Sequence, residues 1–138
     1  MSSVSDSGGL HWTAPAFVPG LPSPNDQGSL LRGDAPAGEV APLFFSGPYS
    51  KTARENISIV ASYDDGQTCK TPLRECCWGR HSMRWWRAGD ASVVAYPGAA
   101  KYSCLSALDS RRISLLIERH NGARSSFDIG ESQFLPAA

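Results

Sequence analysis

A chain of 138 residues is at most one ordinary domain, and a hydrophobic content of 41% suffices for a core if the apolar residues are concentrated. Thirteen basic and thirteen acidic residues cancel to a formal charge of zero, which excludes a global field aimed at nucleic acid or an anionic membrane. No stretch approaches the roughly 20 apolar residues of a membrane span, and no basic region followed by an apolar run marks a signal peptide. The expected location is therefore intracellular and cytoplasmic, or within an assembled particle. Cys69, Cys76, Cys77 and Cys104 then read most simply as thiols, although their even number also suits disulfides.

Residues 1–48 hold seven of the ten prolines, seven of the thirteen glycines, and one Arg against four acidic residues. They show no lasting period of 2 or 3.6, so residues 1–42 read as an extended or disordered arm with some polyproline II character. Within it, Leu10, Trp12 and Phe17 are large apolar anchors, and Pro15 and Pro19 forbid a helix or central strand. The spacing of Leu10, Ala14, Phe17 and Pro19 resembles the short linear motif that binds the C-terminal domain of cytoplasmic poly(A)-binding protein. His11 and Ala16 stand where that motif usually carries Asn and an acidic residue. The resemblance spans residues 10–20 and implies that Leu10 and Phe17 fill apolar pockets on a protein partner, with Ala14 packed closely. The bottom-up alternative seats the same residues on the chain's own domain or on a neighbouring subunit. Arg32-Gly33-Asp34 reads as a polar turn.

From residue 43 to 138 the pattern becomes that of a small antiparallel β domain, a barrel or sandwich of five or six strands. Ile57 to Tyr63 alternates as a strand and Asp64-Asp65-Gly66 ends it in a turn. Residues 67–82 read as an irregular loop. Cys69, Cys76, Cys77 and His81 could offer zinc ligands there, but their spacing makes no Cys-x2–4-Cys knuckle, so no cofactor is expected.

Met83–Arg87 and Ala91–Tyr96 read as a hairpin about Gly89-Asp90, with Trp86 facing Val93. In that stretch Arg80, Arg84, Trp85, Trp86 and Arg87 combine charge with aromatic faces. Such a set serves a protein interface, a core with arginine stems over it, or single-stranded RNA. Leu105–Arg111 reads as a short helical turn. In the last hairpin, a three-residue loop with Gly122 left-handed pairs Leu115 with Phe127, Ile113 with Ile129 and Glu118 with Arg124.

No nucleophile elbow, phosphate loop or dinucleotide fingerprint occurs, and His11, His81 and His120 lack a motif-level partner. The expected protein is non-catalytic: an interaction protein whose arm docks onto a partner. The alternative is a structural subunit of a capsid or ribonucleoprotein particle, with the arm ordered across its neighbours.

Overall fold

The computed structural model describes residues 1–18, 20–35, 37–67, 92–110, 112–120 and 122–130. Among these residues, six antiparallel strands follow one another in space as in sequence: β1 (Ser29–Arg32), β2 (Leu43–Pro48), β3 (Glu55–Ser62), β4 (Ser92–Asp109), β5 (Arg112–Arg119) and β6 (Arg124–Gly130). This is the expected mostly β, antiparallel fold.

The strand at Ile57 forms as its alternation predicts, but its burial is not one-sided. Ile57, Ile59 and Ala61 enter the core, and Ser58, Val60 and Ser62 on the opposite face are buried too. The turn after it is tightly specified. Asp65 (φ 56°) and Gly66 (φ 83°) are both left-handed, and Gln67 N–H donates to Asp64 O at 3.2 Å. Ser62 Oγ donates to Asp64 Oδ1 (2.7 Å) and accepts the Gly66 N–H (2.8 Å). These short side chains satisfy the turn's backbone locally, as Ser and Asp do best.

The long strand β4 organises the molecule. Its first half pairs with β3, setting Val93 beside Ile59, Val94 beside Ser58 and Tyr96 beside Ile57. Its second half pairs with β5, setting Leu105 beside Leu115 and Ala107 beside Ile113. Residues 105–109 are thus strand and not the expected helical turn: Leu105 is buried against Leu115, a long-range contact that outweighs local preference. The Trp86–Val93 pairing lies partly outside the described residues, as do Cys69, Cys76, Cys77, His81, Arg80, Arg84, Trp85, Trp86 and Arg87.

The last hairpin takes the expected register. Leu115 faces Phe127, Ile113 faces Ile129 and Glu118 faces Arg124. Gly122 is left-handed at φ 77°, and Arg119 N–H bonds Ala123 O at 2.8 Å, closing a three-residue loop. Ile113, Leu115 and Ile117 all point into the core with Phe44, Ala100 and Leu105.

Part of the proline-rich segment belongs to the sheet. Ser29–Arg32 form the edge strand β1 against Leu43–Ser46, and Leu31 packs on the core. Ser29 Oγ accepts the Leu105 N–H at 3.0 Å, and Ser46 Oγ donates to Ser103 Oγ at 2.9 Å in a buried position. Both bonds tie β1 and β2 to the second half of β4. Residues 2–16 fold back on themselves: Ser2 and Ala16 form a two-way backbone bridge, and Thr13 N–H donates to Val4 O at 2.9 Å.

Candidate functional site

The candidate site is built by two irregularities in neighbouring strands. On β3, Asn56 adopts φ 57° and the pairing with β4 slips on either side of Ile57. On β4, Ala100 pairs with Arg119 and Ser103 pairs with Ile117, so three steps on β4 match two on β5. Ala100 and Ser103 are both buried, and the extra residue is squeezed out between them as a β-bulge. Bulges bend a strand and re-aim a side chain. Here the side chain is Tyr102, left 39% exposed between the buried Ala100 and Ser103.

Arg54 lies in the same row, since the Ala100 N–H donates to Arg54 O at 2.9 Å. Its guanidinium carbon stands 5.8 Å from the centre of the Tyr102 ring, within cation–π range. Arg54 is also held from the other side. Its Nε donates to Asn25 O at 3.1 Å, and Nη2 donates to the same oxygen. The residues before β1 therefore act as a strap that fixes the guanidinium, and Tyr49 Oη adds to it by donating to Gly20 O at 2.9 Å.

Tyr102 opens onto a hollow of about 270 Å³ shared with Gln27, Ser103, Cys104, Leu116, Glu118 and Arg124. Asp26 lies near Arg54. Burial pushes its carboxyl above the usual range, while the Ser23 hydroxyl and the Arg54 charge pull it down. Ser23 Oγ donates to Asp26 Oδ1 at 2.9 Å, and Oδ2 is enclosed without a hydrogen-bond partner. The hollow thus has the Tyr102 phenol, the Glu118 carboxylate and the Arg124 cation in its lining, with the anchored Arg54 against the Tyr102 ring, which suits a ligand carrying its own negative charge beside hydroxyl groups.

The anchors expected on the arm are elsewhere. Leu10 (80%), Trp12 (64%) and Phe17 (83%) are exposed, and Trp12 Nε1 donates to Gly9 O at 2.9 Å within its own loop. Ala14 is exposed on the same folded-back segment, and Pro19 lies outside the described residues. Arg32 of the integrin-like tripeptide forms an ion pair with Asp65 at 2.8 Å, which ties β1 to the turn after β3. Among the described residues no group of three His, Cys, Asp or Glu side chains converges as metal ligands. Reading along the sequence missed Arg54 and Tyr102. A bulge leaves no composition signal, and the two residues meet only through strand pairing.

No family model matches the chain. A sialidase from Micromonospora viridifaciens is 33% identical over 126 residues, covering 88% of this chain and 16% of that protein. Among solved structures, the Hadza microbial sialidase Hz136 superposes with a TM-score of 0.69 at 22% identity, covering 96% of this chain and 23% of the other. The structural likeness shows a shared fold. The chain spans about a sixth of the first protein and about a quarter of the second.

These likenesses overturn the expected function. They run through the proline-rich segment and the strands together, whereas a docking arm would be separable from its domain. Neither a partner of poly(A)-binding protein nor a capsid or ribonucleoprotein subunit fits a chain matched to sialidases over nearly its whole length.

Proposed function

We propose that this chain is a sialidase-type β unit that holds an acidic sugar through Arg54, with Tyr102 positioned to attack the sugar's anomeric carbon. The observation that carries this reading is the Arg54 guanidinium fixed over the ring of Tyr102, a residue that lines the hollow. Sialidases are the glycosidases that use a tyrosine nucleophile in place of a carboxylate. Their substrate bears a carboxylate, which an anchored guanidinium binds with paired, charge-assisted hydrogen bonds. Two of the Arg54 nitrogens are engaged by Asn25 O, so the group is oriented before any ligand arrives. Glu118 lines the same hollow and would take the phenolic proton as Tyr102 bonds to the anomeric carbon and the bond from that carbon to the aglycone oxygen breaks, the departing oxygen taking a proton from water. The chain's small share of the sialidases it matches favours a second reading, in which it binds the sugar as an accessory unit without cleaving it.

The test is calorimetric titration with N-acetylneuraminic acid and with its methyl ester, alongside hydrolysis of an aryl sialoside. The expected result is saturable binding of the acid, weakened at least tenfold in the ester and in Arg54→Ala, since one charged hydrogen bond contributes about 1.5–3 kcal/mol. Tyr102→Phe should keep binding and abolish hydrolysis. Binding without hydrolysis in the parent chain selects the accessory reading. Equal binding of acid and ester, or an unaffected Arg54→Ala, overturns both.

A further inference from the structure

A second arginine is held over a second tyrosine elsewhere on β4. The Arg119 guanidinium carbon lies 5.1 Å from the centre of the Tyr96 ring, and Arg119 Nε donates to Tyr96 Oη at 3.2 Å. Tyr96 itself packs against the core. Gly98 leaves the space that the phenol needs, because a Cβ there would come within 2.5 Å of Tyr96 Oη. His120 N–H donates to Ala99 O at 3.0 Å and fixes the chain beside the arginine. Tyr96, Ala99, Arg119 and His120 together line a hollow of about 190 Å³.

The ion pairs among the described residues are Arg32–Asp65 and Arg112–Asp109. Arg119 is therefore a half-buried cation with no carboxylate against it among those residues. A long side chain normally loses conformational freedom when it captures an anion. Here the stack on Tyr96 and the bond from Nε have already restricted it. The two terminal nitrogens remain to form the planar fork that matches a carboxylate. The hollow is smaller than the roughly 300–1,000 Å³ of sites for drug-sized ligands, so it fits one acid group with a few attached atoms.

We infer that Arg119, with His120 at the rim, forms a binding site for a small planar carboxylate, separate from the Arg54–Tyr102 site. The two sources of that chemistry are a simple organic acid and the acid group of a sugar. Acetate and glucuronate probe them, with glucose as the neutral control. The readout is the Arg119 Nε–Hε signal in NMR spectra of the ¹⁵N-labelled chain.

Both acids should shift that signal saturably, and glucose should not. A tighter response to glucuronate identifies a sugar acid, and equal responses identify the carboxylate alone. Tyr96→Phe keeps the stack but frees Nε, and should weaken binding several-fold with the fold intact. Arg119→Lys keeps the charge without the fork, and should weaken it about tenfold as read on the His120 amide. Arg54→Ala should leave the response unchanged, so failure of the sialidase-type reading is distinguishable from failure of this one. The inference is overturned if neither acid gives a saturable shift, if glucose gives the same shift, or if Arg119→Lys and Tyr96→Phe bind like the parent.

Discussion

The strap that holds Arg54 depends on a glycine contact that one methyl group would disrupt. Gly28 immediately precedes β1, and the Phe45 ring lies directly over it. A Cβ at Gly28 would sit 2.7 Å from two ring carbons and 2.8 Å from Ser46 O. Carbon atoms prefer separations of about 3.5–4.0 Å, so all three contacts lie on the repulsive wall. The ring could swing away, but Ser46 O is backbone of β2 and is fixed by the sheet. Gly28→Ala must therefore push β1 away from β2.

Overpacking of this kind costs about 1–3 kcal/mol. Replacing glycine by alanine returns roughly 0.5–1 kcal/mol through the unfolded state. The net expectation is about 1–2 kcal/mol of destabilisation, or a fall in Tm of roughly 4–8 °C. Gly47→Ala is the internal control. Its Cβ meets the same ring at 3.1 Å and touches backbone only at 3.8 Å, so the ring can yield. The entropy gain then nearly cancels the strain, leaving a change within about 0.5 kcal/mol. Urea unfolding followed by circular dichroism measures both. If Gly28→Ala proves no more destabilising than Gly47→Ala, the backbone contact is not the deciding one and the argument fails. A displaced β1 should also carry Asn25 with it and weaken acid-sugar binding at Arg54.

Three further outcomes follow from the packing and the charges. Leu115 is fully buried, and Leu115→Ala should cost about 2–5 kcal/mol in urea unfolding, enough to leave the chain marginal. Gly122 is left-handed with open space around its Cβ position, so Gly122→Ala should cost about 1–2 kcal/mol through backbone strain alone, and Gly122→Asn less. Asp26 has a raised folded-state pKa, so the folded chain holds its proton more tightly than the unfolded chain does. Its contribution to stability is thus most favourable below the ordinary value of 3.8 and declines as pH rises through the raised one. Asp26→Asn, which keeps an acceptor for Ser23, should flatten that part of the stability–pH curve, and an unchanged curve would refute the assignment.

The C-terminal hairpin was legible because its signals are local. Ile113, Leu115 and Ile117 alternate, Gly122 supplies the left-handed residue, and only the three-residue loop sets apolar residues opposite one another. The two ends of the sheet were harder to read for a shared reason. Ser29–Arg32 is too short to show a period, and Leu105–Asp109 reads weakly as any element. Each becomes strand because a distant segment covers it: Phe44 and Phe45 for β1, and Ile113 and Leu115 for the end of β4. The exposed Leu10, Trp12 and Phe17 misled in the opposite direction. Their apolar character was plain, but apolar anchors alone do not identify a partner.

The same division explains why the site itself was hidden. Arg54 and Tyr102 owe their meeting to two departures from regular pairing, the left-handed Asn56 and the bulge between Ala100 and Ser103. A regular β4 would keep strict alternation beyond the buried Ala100, and alternation sends neighbouring side chains to opposite faces. Tyr102 would then share the inward face of Ala100 and compete with Phe44 and Ile117 for core volume. The bulge resets the alternation, returning Ser103 and Leu105 to the interior and leaving Tyr102 at the surface beside Arg54. Removing Lys101 takes out the extra residue, so continuous pairing should return with Ser103 and Leu105 still inward, and Tyr102, now directly after the inward Ala100, should stay on the outer face without the bulge's bend. The deletion variant should keep Tyr102 open to iodination but lose acid-sugar binding, because the straightened strand no longer aims the phenol beside Arg54. A deletion variant that folds and binds as before would show that the bulge does not aim the side chain.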